Sequence, residues 1–186
     1  MSSLTDDLKN ALSSVVSGAG DVASTVQDVA RKNVVNLLQG AGDVATAGLQ
    51  TIDQVVSEGL ETLSSSGTSL TEGATGLVRG VVDGAKDVGV SATEAAGEAA
   101  STAVKTAFRV GGDAGEVAVS SVEGAIEAAG DIGADSGELA KSAVLGAIKA
   151  ADEIGSEAGG LVRKALLNAA ALPHDVIDAL LTGRTE

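Results

Sequence analysis

The residues of this chain whose types invite chemistry are few: one histidine, His174, and a ladder of carboxylates at Glu123, Glu127, Asp131 and Asp135. Serine–histidine–aspartate catalysis would rest entirely on His174, because there is no second histidine and no cysteine to act as nucleophile or metal ligand. His174 follows the sole proline, Pro173, and precedes Asp175, a context that reads as a helix start after a break rather than as a reactive centre. The i, i+4 carboxylates have the spacing to collect Ca²⁺ or Mg²⁺, yet like charges so arranged are ordinarily a solvated helix face. The glycine-rich VGGDAG, residues 110–115, lacks the Lys-Ser/Thr of a phosphate loop. No catalytic constellation and no metal site is expected, and the chain reads as non-enzymatic.

The elements that carry these residues must therefore be read for shape. The 186 residues include 25 Gly, one Phe, one Pro and no Trp, Tyr or Cys, so a core built on aromatic anchors is ruled out. A formal net charge of -14 argues against nucleic acid, whose phosphates demand Lys and Arg, and weakens attraction to anionic lipid. The opening MSSLTDDLK has neither the basic nor the apolar region of a secretory leader, and no uncharged apolar run approaches the length of a membrane span. The expectation is a cytoplasmic protein.

Periodicity is the strongest signal. Stepping by 11 from Glu61 gives Glu72, Asp83, Glu94, Lys105, Glu116, Glu127, Glu138 and Lys149, an unbroken charged row. Four residues on lies a second polar row through Asp87, Glu98, Arg109, Ser120, Asp131, Ser142, Glu153 and Lys164, the adjoining strip of a helix. A third row is all alanine and includes Ala107, Ala118, Ala129 and Ala140. Eleven residues are three helical turns, so a sustained 11/22-residue (hendecad) Ala/Gly pattern predicts an all-α protein of long amphipathic helices, assembled as an oligomeric right-handed coiled coil or helical tube. Helical hairpins broken at VGGDAGEV, IGADSGEL and IGSEAGGL are the alternative, since Gly ends helices and Ser or Asp starts them. The charged row passes through those pieces in step, which favours a continuous helix. Disorder until a partner binds is a third reading.

The glycines then need a packing role to offset about 1 kcal/mol each in a helix interior. Three GxxxG pairs, Gly111 and Gly115, Gly133 and Gly137, Gly155 and Gly159, recur at 22-residue intervals and alternate with the bulky pairs Val78 and Val82, Val122 and Ile126, Val144 and Ile148. A neighbouring helix shifted by one 11-residue step would lay Val and Ile over Gly, so these residues are the candidate oligomerisation face of a homo-oligomer. The apolar face covers close to half the circumference, which suits several helices around an apolar bore or one helix lying on lipid.

Along the chain, 1–63 carries the larger side chains and is a candidate partner-binding segment, 64–71 is a Ser/Gly-rich joint, 72–160 is the Ala/Gly hendecad stalk, and 161–186 is a Leu-rich end. Phrases such as VVDGAKDVG, EAASTAVKTAF and VGGDAGEVA resemble the 11-residue repeats of synuclein, perilipin and late-embryogenesis-abundant proteins, which implies a lipid-surface coat or a desiccation protectant. In design the chain also resembles the stalk subunit of bacterial high-affinity nickel–iron uptake hydrogenases. That resemblance implies a scaffold whose N-terminal part gathers catalytic subunits and whose C-terminal helices form an apolar tube giving menaquinone, or another lipid, a path from the membrane. No covalently bound cofactor is expected. Peripheral contact at the cytoplasmic membrane face would fall to 161–186.

Overall fold

The computed structural model describes residues 4–16, 21–40, 42–169, 172–174 and 176–177. Among them are eight helices: α1 (Leu4–Val16), α2 (Val22–Gln39), α3 (Val44–Ser65), α4 (Leu70–Asp87), α5 (Ala92–Arg109), α6 (Ala114–Ile132), α7 (Ser136–Ile154) and α8 (Ser156–Asn168). The all-α class holds. The continuous helix over 72–160 does not, because the chain stops at every 22-residue interval.

The reason is local. Gly67, Gly89, Gly111 and Gly133, 22 residues apart, all adopt the left-handed backbone at φ 71°, 83°, 79° and 71°, where a side chain is strained. At each turn an amide donates to a carbonyl five residues back: Thr68 to Leu63, Val90 to Ala85, Gly112 to Ala107, Ala134 to Ala129, the closing bond of a glycine-capped helix end. Two residues after each glycine a short oxygen side chain opens the next helix. Ser69, Ser91, Asp113 and Asp135 accept from the backbone N–H of Glu72, Glu94, Glu116 and Glu138 at 3.0–3.3 Å. The glutamates of the charged row are thus third-position residues of S/D-x-x-E starts, where acid also suits the positive end of the helix dipole. A turn repeated at constant helix length keeps the 11-residue phase as faithfully as an unbroken helix does. The stretch at Ser64–Leu70 is one such turn rather than a unique joint.

Glycine contacts reveal how the helices lie. A Cβ on Gly76, Gly80 or Gly84 of α4 would strike the carbonyl oxygens of Ala23, Gln27 and Arg31 of α2. The residue difference is constant, so the two helices run parallel. Thr75 against Gly124 with Arg79 against Glu127 make α4 and α6 parallel in the same way, and Thr93 against Ser142, Gly97 against Gly146 and Lys105 against Glu153 do so for α5 and α7. Gly59 and Gly73 meet Leu77 and Leu63, pairs of constant sum, so α3 and α4 are antiparallel. The result is two layers, α2–α4–α6–α8 and α1–α3–α5–α7, with helices packing on the second helix along and each layer covering the other. Each helix pair of 44 residues is one structural unit, the arrangement of an α-solenoid.

The core between the layers is Val- and Leu-rich under α1–α4 (Leu8, Leu38, Ile52, Leu60, Leu63, Leu77) and mostly alanine under α5–α7, with Val104, Val117, Val122, Leu139, Val144 and Ile148 interspersed. Alanine suffices there because Gly97, Gly124 and Gly146 bring backbones close enough for small side chains to fill the space. Leu4, Leu8 and Leu12 close one end, and Leu172 and Ile177 are buried at the other.

Polar rows tie helices within a layer. Arg31 pairs with Asp87 at 2.8 Å, Arg79 with Asp131 at 2.6 Å and Glu127 at 3.0 Å, Lys105 with Glu153 at 2.9 Å, and Arg109 with Glu61. Asp83, 3% exposed, accepts from Gln27 Nε2 at 2.7 Å, but its other oxygen is buried without a partner. Burial pushes its carboxyl above the usual aspartate range, with Asp131 adding to the shift and Gln27, Arg31 and Arg79 opposing it.

Three substitutions test this packing. Gly80→Ala, which places a methyl against the Gln27 carbonyl and the Ala30 side chain, is expected to destabilise by about 1–3 kcal/mol. Gly130→Ala, helical, exposed and with open space around its would-be Cβ, is expected to stabilise by about 1 kcal/mol; chemical denaturation of the two variants checks both signs. For Asp83, the folded pKa lies above the unfolded one, so the fold gains stability as pH falls through the folded value and bears the buried charge above it. Asp83→Asn keeps an acceptor for Gln27 and is expected to raise Tm at pH 7 by about 2–4 °C, a gain that shrinks toward pH 4; thermal melts across that range test it.

Candidate functional site

The residues singled out as an oligomerisation face fall into two groups. Val78, Val82, Val122, Val144, Ala107, Ala118, Ala129 and Ala140 are buried inside one chain, Ile148 is 9% exposed, and Ile126 is partly buried. Their partners are other helices of the same molecule. The three glycine pairs do not act as pairs. Gly111 and Gly133 are exposed turn residues, and Gly155 links α7 to α8. Gly115 packs on Ala165 and the Leu161 carbonyl of α8, Gly137 meets only Asp135, and Gly159 lies under the Asp152–Arg163 ion pair. The close approaches instead use Gly76, Gly80, Gly84, Gly97, Gly124 and Gly146. The first three stand at i, i+4, i+8, a spacing visible in the sequence as a GxxxGxxxG string.

Three of the four carboxylates of the ladder are engaged elsewhere. Glu127 and Asp131 share Arg79, whose hydrogen bonds hold Asp131 below the usual aspartate range, and Asp135 caps α7. Burial, with Glu127 nearby, pushes Glu123 upward. Among the described residues no three acidic or histidine side chains are grouped to hold a metal ion. His174 is exposed.

The concave feature is a cleft of about 860 Å³ between two turns on one rim, the α5–α6 turn at Gly111 and the α7–α8 link at Gly155. Phe108 at the end of α5 and Leu161 on α8 stand in it 55% and 59% exposed, with Ile154, Ala114, Ala158 and Ala165 completing the apolar lining. Asp113, Glu116, Glu157 and Lys164 lie around it. A shallower trough of about 400 Å³ continues past Glu116, Ala165 and Asn168 to Val119 and Glu123.

The repeat explains why the cleft exists. One unit of 44 residues earlier, the position of Ala114 is Leu70, whose side chain packs over Gly112 and plugs the corresponding space between the Gly67 and Gly111 turns. Ala114 is too small to do the same. Phe108, the only aromatic residue, stands where the earlier unit has Ser64, and Leu161 stands where it has Val117, which is buried. The link is unusual too. Four of these turns carry Ser or Asp as cap, but the fifth position is Glu157, and α8 begins earlier, at Ser156, with Gly155 as its N-cap and no side-chain cap. A one-residue link replaces the longer turn and leaves room beside it. These departures are visible only when the sequence is aligned in units of 44, a register that a continuous helix gives no reason to draw.

No protein-family model matches the chain, and no curated protein is similar enough to be matched. No helix among the described residues is long and apolar enough to cross a membrane.

Proposed function

We propose that the chain is a non-enzymatic scaffold, a stack of pre-packed helices that presents the cleft between the Gly111 and Gly155 turns to a partner. The observation that carries this reading is that the sole aromatic side chain, Phe108, is held exposed beside Leu161 at the rim position where Ala114 stands in place of the plug that Leu70 provides one unit earlier. Large apolar side chains gathered in a concavity mark interaction sites, whereas single exposed ones do not. Of the carboxylate ladder, Glu127 and Asp131 are taken up in interhelix pairs with Arg79 and Asp135 caps α7, which supports a structural role for these three.

A tube assembled from several copies, conducting menaquinone and gathering hydrogenase subunits, needs Val78, Val122 and Val144 to face a neighbouring copy. They are buried within one chain, so the scaffold is proposed without the tube and without homo-oligomer formation through that face. A lipid-coating helix needs the same residues on a membrane. For peripheral contact through 161–186, Val162, Leu166, Leu172 and Ile177 are buried and Leu161 and Leu167 exposed; 170–171, 175 and 178–186 lie outside the described residues.

Circular dichroism with sedimentation on the full chain separates these readings. The scaffold is expected to be strongly helical and compact in buffer and unchanged by lipid vesicles. Low helicity in buffer that rises on vesicles would overturn it in favour of the coat.

A further inference from the structure

We propose that the cleft and its trough receive a basic amphipathic helix of a partner protein. The proposal rests on the scaffold reading above. Shape is the first argument. The cleft shares Glu116, Ala165 and Asn168 with the trough, so the concavity is drawn out along the seam between α6 and α8 rather than closed around a point. A small apolar ligand is held by a pocket that buries most of its surface; an elongated, open seam instead fits a helix lying lengthwise, with residues at i, i+3, i+4 and i+7 against the apolar floor.

Charge decides the partner's polar face. Asp113, Glu116, Glu157 and, in the trough, Glu123 stand around the floor against the single cation Lys164. The whole chain carries -14. An acidic helix or an anionic headgroup would meet like charge, whereas Lys or Arg flanking an apolar stripe would meet complementary charge along the full length. The apolar anchors are Phe108 and Leu161, whose exposure the fold does not need: the equivalent positions one unit earlier hold Ser64 and the buried Val117.

The repeat supplies the test variants. Ala114→Leu installs the plug that Leu70 provides in the preceding unit, and Phe108→Ser installs the residue of position 64, so each borrows a solution the fold already uses. Glu157→Lys reverses a rim charge on a residue that caps nothing. The probe is a labelled synthetic amphipathic helix of Leu and Lys, with a Leu/Glu twin of identical apolar face, titrated with the full-length protein and followed by fluorescence anisotropy. The expected result is one-to-one binding of the Leu/Lys helix that weakens with salt, is reduced about ten-fold or more by each variant, and is absent for the twin. Unchanged affinity in Ala114→Leu and Phe108→Ser would place the peptide on the general acidic surface and overturn the proposal. So would equal binding of the twin. Uptake of the neutral dye Nile red that Ala114→Leu abolishes, with no peptide binding, would assign the cleft to a small apolar molecule instead. A helical protein that ignores the peptide removes this inference alone; a chain unfolded in buffer removes the scaffold with it.

Discussion

The fold depends on a backbone constraint, the left-handed conformation at Gly67, Gly89, Gly111 and Gly133. Each of these residues stops a helix, and the Ser or Asp two residues later starts the next, of 18 or 19 residues. Because helix length barely changes, the same face returns to the interior every 22 residues, and helices two apart come to lie parallel. Parallel neighbours at constant offset then allow a second glycine set, Gly76, Gly80 and Gly84 above all, to bring backbones into contact. Close approach is what lets a chain with a single aromatic residue make a packed core from Ala and Val. Removing the turns would leave these glycines as weak points in an exposed helix; with them, their helix-propensity cost of about 1 kcal/mol each is offset by packing.

Much of this was legible, though not in its final form. The helical class follows from the 11-residue rows, and the polar rows do lie on one strip, where Glu61 meets Arg109 and Lys105 meets Glu153 across helices. What the rows cannot distinguish is a continuous helix from equal helices joined by identical turns, because an N-cap followed three residues later by Glu puts acid at the same phase as a mid-helix charge. The decisive marks are the four-residue strings VGVS, VGGD and IGAD, each with a glycine two residues before Ser or Asp. They carry both a stop and a start, whereas a helix interior needs neither.

The cleft was less legible still. Nothing in the immediate neighbourhood of Ala114 marks it as special in a chain rich in alanine. Its meaning lies in the comparison with Leu70 and in the physical fact that a missing isobutyl group at a rim leaves a groove. Phe108 and Leu161 gain significance in the same way, as large side chains at positions where the repeat keeps small or buried ones. Departures from a repeat are therefore the places where this fold can acquire a role that its regular units lack.

Small-angle X-ray scattering on the purified chain tests the central claim most directly, because turns every 22 residues and an unbroken hendecad helix differ first in overall size. The layered repeat predicts a radius of gyration of about 16 Å, the value for a compact chain of this length. A single helix through residues 72–160 would be a rod about 130 Å long, with a radius of gyration of about 40 Å. A value of that order would contradict the account.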